Sequence, residues 1–272
     1  KNKLKLHQRL KKELFKGFSR IKWYSLTNLI YFYRSFFFKK IQIKNKISIL
    51  IPSKQRVKKL KRCIDSILIN THSLDRIKIL ILIDEDELDK EDYISYINSL
   101  SNKMSIKLFI RNEKTHNLRN NFLAKNIISD LYFPLNDDVI FTMKNWDRYI
   151  DEISSLIPIH KPYSIWTIAS SKYPYLHSEF PIVNYEWYKK LGYIGNLYLY
   201  GYIDTWICDL GKYSKKFIVA KKKFIEHLNA EIDGFNNEKD NTYNDLMISQ
   251  IGDKERWLET THIRKRDSKK LL

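Results

Sequence analysis

Short apolar runs alternate with segments of helical periodicity through the middle of the chain, and this alternation restricts the fold more than any other feature. Ile47–Ile51 is a β-branched run ending at Pro52, and Ile77–Ile83 runs straight into Asp84-Glu85-Asp86-Glu87. Ile106–Ile110 follows, and Leu131–Leu135 ends at Asn136-Asp137-Asp138. Between these runs Val57, Leu60, Ile64, Ile67 and Leu68 share one helical face, as do Tyr93, Ile94, Ile97 and Leu100. Arg119–Ser129 reads as a third helix, and Trp146, Tyr149, Ile150, Ile153 and Ile157 mark a fourth. Strands apolar along their whole length are buried on both faces, as in a parallel sheet. The β-α-β-α-β-α-β order therefore predicts an α/β fold, a mostly parallel sheet flanked by helices. Beyond Pro158 the pattern predicts a strand near Ser164–Ala169, helices near Asn184–Leu191 and Asp204–Leu210, and a strand pair near Lys216–His227.

Residues 1–46 differ in character. Basic residues precede Trp23-Tyr24, Leu29–Tyr33 and Phe36–Phe38, which reads as a basic, aromatic, helical N-terminal arm too short in its apolar part to span a bilayer. Such an arm suits packing on the body, residues 47–272, or on a second subunit, or else an anionic membrane surface bound through residues 1–40. The net charge of +18 attracts polyanions in general, although a chain crowded with Lys, Asn and Ile owes part of that charge to a solvated surface. Cys63 and Cys208 each lie in an apolar helical pattern and read as buried thiols of a reducing, cytoplasmic compartment.

Ligands of open α/β sheets bind beyond the carboxyl ends of the strands. Three predicted strands end in polar clusters there: Pro52-Ser53-Lys54-Gln55-Arg56, Asp84-Glu85-Asp86 and Asn136-Asp137-Asp138. No G-x-G-x-x-G and no P-loop lysine follows the first strand, which excludes the usual dinucleotide and NTPase cradles. Carboxylates at strand ends suit a nucleotide bearing a sugar. Asp84 or Asp86 can accept from a ribose hydroxyl or a base N–H, and Asp138, with or without Asp137, can hold a hard cation that neutralises a diphosphate. Acids after a strand also cap helices or fill turns, the alternative reading for Asp84-Glu85-Asp86.

Ile47–Ile67 (ISILIPSKQRVKKLKRCIDSI) resembles the opening of the GT-A glycosyltransferases, particularly the family-2-like group. Tyr132–Phe141 (YFPLNDDVIF) resembles their strand with the D-x-D metal motif, Gly201–Leu210 (GYIDTWICDL) their segment with the catalytic base, and Phe224–Leu228 (FIEHL) their late metal-shell histidine. The resemblance implies a GT-A, Rossmann-like fold, with Pro52, Ser53 and Arg56 lining the nucleotide pocket. It places Asp84 and Asp86 at the base or ribose, Arg119 near the phosphates and Asp137 at the ribose. Asp138 would hold Mn2+ or Mg2+, His227 that metal or the pyrophosphate, and Asp204 would be the base. Asn136 replaces the first acid of D-x-D. Lys254-Glu255-Arg256-Trp257 is only superficially like the Q-x-x-R-W of processive members, so single-sugar transfer is expected.

The implied activity is metal-dependent transfer of a sugar from a nucleoside diphosphate donor to a hydroxyl of a glycan or lipid-linked acceptor, with inversion. The implied setting is polysaccharide biosynthesis in the cytoplasm, peripheral on the inner face of a membrane. A nucleotidyltransferase of sugar phosphates shares the sheet and the acids, but Ser53–Lys59 lacks the glycines it normally uses. A basic RNA- or membrane-binding protein would keep its strand ends basic, whereas Asp84, Asp86, Asp137 and Asp138 occupy them, so no nucleic-acid partner is expected. Trp166, Tyr173, Tyr175, Tyr185, Trp187, Tyr202 and Trp206 could stack on sugars but read mostly as core.

Overall fold

The computed structural model describes residues 44–158, 160–169, 177–228 and 251–272. The N-terminal arm expected over residues 1–46 therefore falls almost wholly outside the described residues. Among those described, no helix is long and apolar enough to cross a membrane.

The chain alternates as its apolar runs predict: β1 (Ile47–Pro52), α1 (Val57–Asn70), β2 (Ile77–Ile83), α2 (Lys90–Leu100), β3 (Ser105–Ile110), α3 (His116–Lys125) and β4 (Leu131–Pro134). Then come β5 (Val139–Phe141), α4 (Trp146–Ser154), β6 (Ser164–Trp166), β7 (Ile182–Asn184), α5 (Tyr185–Leu191) and α6 (Ile203–Ser214). The last elements are β8 (Phe217–Val219), β9 (Ile225–His227), α7 (Asp253–Glu259) and α8 (Thr261–Lys270). The main sheet has seven strands in the order β3-β2-β1-β4-β7-β6-β8, and β5 and β9 form a separate two-stranded ribbon. β1 pairs in parallel with β2 and β4, β2 with β3, and β6 with β8; only β7 runs antiparallel to its neighbours.

Side chains alternate across each strand, and both faces are covered. Leu50, Leu80, Leu82, Tyr132 and Val183 pack on one face with Leu123 and Ala124 of α3, Trp187 of α5, Trp206 and Leu210 of α6, and Leu271. On the other, Phe133 meets Phe141 of β5, Trp146 of α4 and Phe224, with Trp146 and Phe224 stacked at 6.2 Å.

Two expectations need correction. The segment near Lys216–His227 is not a strand pair: β8 extends the main sheet beside β6, whereas β9 pairs with β5. Between them the Tyr149 hydroxyl accepts the N–H groups of Lys221 and Lys222 at 2.7 and 2.9 Å, which draws the chain off the sheet edge. The third helix begins at His116, because Thr115 caps it by accepting the Leu118 N–H at 3.1 Å, and it ends at Lys125.

The end of the sheet remote from the strand tips is clasped by buried charge. Arg76, just before β2, donates to Asp147 of α4 at 2.7 Å, to Asp151 at 2.6 Å and to the Asn45 carbonyl at 3.1 Å. Asp147, fully buried, also accepts the N–H groups of His72 and Ser73. Burial opposes its charge, but those donors and Arg76 hold its carboxyl below the ordinary range. Removing one partner strands the others in the interior. Asp147→Ala should therefore cost on the order of 3–5 kcal/mol in urea unfolding while leaving ligand affinity at the opposite strand ends intact in the folded fraction.

Candidate functional site

The three polar strand ends do converge. β1 continues past Pro52 through a Ser53 N–H bond to the Leu82 carbonyl at 2.9 Å, and the chain then turns sharply, with Gln55 at φ 53°. The Gln55 N–H is taken by buried Glu87 at 2.9 Å and the Arg56 N–H by the Tyr93 hydroxyl at 3.0 Å. Tyr93 bonds Ser53 Oγ at 2.8 Å, and Ser53 donates onward to Asp137 Oδ2 at 2.6 Å. A directed chain thus runs from the first loop into the acidic triplet.

Asp137 and Asp138 are 3% and 7% exposed, so two adjacent carboxylates are buried together. Arg56 Nη1 lies 3.4 Å from Asp137 and 3.6 Å from Asp138. His227 is delivered from the other side by the β5–β9 ribbon, whose register sets it opposite Val139, and the Leu228 N–H bonds the Asp138 carbonyl at 3.0 Å. Its Nε2 is 3.2 Å from Asp138 Oδ1, and its Nδ1 is 2.9 Å from Glu179. Burial opposes the imidazolium, but the two carboxylates outweigh it and lift His227 to about 10. Burial and the neighbouring Asp138 raise Asp137 to about 6 against the pull of Arg56, whereas His227 and Arg56 overcome burial to lower Asp138.

Asp138 Oδ1 and His227 Nε2 are both buried and neither makes a hydrogen bond of good geometry, although they face each other at 3.2 Å. Two neighbouring ligands of an octahedral cation at roughly 2.1 Å stand about 3 Å apart, so this pair fits one edge of such a shell. Among the described residues no group of three or more His, Cys, Asp or Glu has metal-site geometry. A cation here would take its remaining ligands from outside this pair.

Asp84, at the tip of β2, is bound by Arg119 Nη2 at 2.8 Å to Oδ2 and lies 3.7 Å from Lys54. Asp86 is exposed and is not brought into this cluster; Glu87 is the buried acid of that loop. His116, in the first turn of α3, is pushed down to about 4 by loss of water and by Arg119, against Asp138.

Asp204 lies in the first turn of α6. The loop before it is held from two sides: Asn117 of α3 donates to the carbonyls of Leu199 (2.8 Å) and Gly201, and buried Asp253 of α7 accepts the N–H groups of Tyr200 (3.1 Å) and Gly201 (2.8 Å). Gly195 lies so close to Asn117 that a Cβ would meet its Oδ1 at 2.7 Å. Tyr202 then takes φ 58° and α6 starts. Asp204 Oδ1 accepts the Thr205 N–H at 2.7 Å, and Oδ2 lies 3.2 Å from His177 Nε2.

Trp166, Trp187 and Trp206 are core residues, as expected, while Tyr173 and Tyr175 lie outside the described residues. Cys63 and Cys208 are buried and unpaired in a disulfide sense. Glu87, His177 and Glu179 escaped the sequence reading, because each acquires its partner only through the turns and ribbon just described.

The raised Asp137 has a consequence for stability. Below about pH 4 it is protonated both folded and unfolded; between its ordinary 3.8 and about 6 the folded state retains the proton, so stability falls as pH rises through this window. Asp137→Asn should therefore raise the unfolding free energy above pH 6 by on the order of 1–3 kcal/mol, a gain that fades below pH 4 in denaturation at several pH values.

No protein-family model matches the chain, and no curated protein does. Solved structures do. Mannosyltransferase PcManGT from Pyrobaculum calidifontis, in complex with GDP-Man and Mn2+, aligns with a TM-score of 0.55 at 9% identity, over 74% of this chain and 64% of that one. S. aureus TarS 1–349 aligns with a TM-score of 0.52 at 13% identity, over 83% of this chain and 89% of that one. Its complex with UDP gives a TM-score of 0.53 at 12% identity over the same shares. At such identities the likeness is one of architecture, and it agrees with the mostly parallel sheet flanked by helices. The chain has the GT-A-like glycosyltransferase fold.

Proposed function

We propose that this chain transfers a sugar from a nucleoside diphosphate donor to a hydroxyl of a glycan or lipid-linked acceptor. The observation that carries the reading is the buried pair Asp138 Oδ1 and His227 Nε2, 3.2 Å apart and without a hydrogen bond of good geometry, at the strand ends of a glycosyltransferase fold. Mn2+ or Mg2+ held by Asp138 and His227 would neutralise the diphosphate leaving group. Mg2+ in nucleotide sites is commonly bound through one or two protein ligands, with phosphate and water supplying the rest, so a pair of protein ligands suffices.

The remaining roles are those the resemblance implies, and the contacts around each residue support them. Pro52, Ser53 and Arg56 would line the nucleotide site. Asp137, held by Ser53 and Arg56, faces the ribose, and Asp84, fixed by Arg119, offers acceptors to the ribose or base. Asp204 takes the proton of the acceptor hydroxyl as its oxygen attacks the anomeric carbon and the diphosphate departs from the opposite face, which inverts that centre. Its Oδ1 is committed to the Thr205 N–H, so Oδ2, beside His177, is the oxygen that receives the proton.

This division of labour is separable by mutation. With UDP-GlcNAc and GDP-mannose as trial donors, Asp138→Asn should weaken donor binding and turnover together. Asp204→Asn should leave nucleotide affinity nearly intact and lower turnover about 10²–10⁴-fold. Near-normal turnover by Asp204→Asn would reduce Asp204 to a helix-end residue, a role that Asn fills equally well. A matching loss of donor affinity in both variants would put Asp204 in the cation shell.

A further inference from the structure

An imidazole that binds a cation through one nitrogen needs its other nitrogen fixed, because that second bond decides the tautomer and the plane of the ring. His227 presents Nε2 toward Asp138, and its Nδ1 lies 2.9 Å from Glu179 Oε2. Nothing in the sequence joins these residues, which stand 48 positions apart. They meet because the segment before β7 passes along the β5–β9 ribbon, where Phe180 also sets its ring edge against the imidazole at 4.9 Å between centroids.

The segment carrying Glu179 is anchored at the adjoining residue. Ser178 is fully buried. Its N–H points to Cys208 Sγ of α6 at 3.3 Å, its Oγ accepts the Thr167 N–H at 2.8 Å, and its hydroxyl donates to the Thr167 carbonyl at 3.2 Å. Thr167 Oγ1 in turn donates to the Phe180 carbonyl at 2.8 Å. On the other side of Ser178, His177 contacts Asp204 and Thr205 of α6. Three consecutive residues therefore touch the helix of the proposed base, the chain just past β6 and the histidine facing Asp138.

We propose that Glu179 is a positioning residue: it accepts from His227 Nδ1–H and so aims the Nε2 lone pair at the cation beside Asp138. The proposal rests on the nucleotide-sugar reading above. Ser178 supplies the fixed pivot from which the carboxylate acts. The role requires an acceptor oxygen at this place rather than a negative charge, and this separates it from a general electrostatic contribution.

Calorimetric titration of UDP and GDP, with and without Mn2+, on the wild type, Glu179→Ala and Glu179→Gln tests this. Glu179→Ala should weaken Mn2+-supported binding about 10–100-fold and leave binding without Mn2+ unchanged. Glu179→Gln keeps an acceptor oxygen for Nδ1–H and should recover most of that loss. Equal weakening with and without Mn2+, wild-type affinity in Glu179→Ala, or Glu179→Gln as impaired as Glu179→Ala would each overturn the proposal. Should the wild type bind neither nucleotide under either condition, the nucleotide reading itself fails, and this proposal with it.

Discussion

Two adjacent carboxylates lie buried at the end of a parallel strand, and much of the surrounding structure answers that constraint. Charges removed from water must be paired or neutralised. Asp137 and Asp138 meet Arg56 from the β1 loop, the Ser53 hydroxyl from the same loop, and His227 from β9. The partners arrive on two separate pieces of chain, so the loop after β1, the strand tip of β4 and the β5–β9 ribbon have to close on one point. The pair is not fully compensated: Asp137 is driven toward its neutral form, and Asp138 Oδ1 and His227 Nε2 confront each other without a good hydrogen bond. Unresolved polarity of this kind costs stability in the free protein and is characteristic of sites prepared for a charged ligand.

The proposed base is held by different means. Asn117 and Asp253 grip the main chain of Leu199–Gly201 from α3 and α7, so that α6 begins at a fixed place. The C-terminal helices reinforce this hold: Asp209 of α6 takes Arg264 at 3.0 Å and the Trp257 indole N–H at 3.0 Å, and Arg264 lies over the rings of both Trp206 and Trp257. Trp257, superficially like part of a processivity signature, is a packing residue here. The segment His177–Glu179 then joins this half of the site to Asp138 and His227, the proposed cation ligands.

The elements that could be read from the sequence are those whose burial leaves a simple pattern. β1 and β2 are covered on both faces and are almost continuously Ile and Leu, and α1 buries Val57, Leu60, Ile64 and Ile67 on one stripe. The acids at the strand tips could be located because the fold dictates where strand ends point. β7 is only Ile182–Asn184, too short to stand out, and α8 buries Arg264, Asp267 and Ser268 alongside Ile263, so its inward face carries no apolar period. Three-residue strands do not reveal which sheet they join, which is why β8 and β9 were expected to pair. The choice of Asp86 over Glu87 turned on a loop conformation that adjacent acids do not specify. Glu179 had no local signal, since its partner comes through a ribbon formed by β5 and β9.

The central claim is that Asp138 and His227 hold the cation that accompanies a nucleoside diphosphate. The most direct test is a crystal grown with Mn2+ and UDP or GDP, with data collected at the manganese edge. An anomalous peak is expected within roughly 2.0–2.3 Å of both Asp138 Oδ1 and His227 Nε2 and beside the diphosphate. A nucleotide bound at the strand ends with manganese elsewhere, or with no manganese and the Asp138–His227 pair undisturbed, would contradict it.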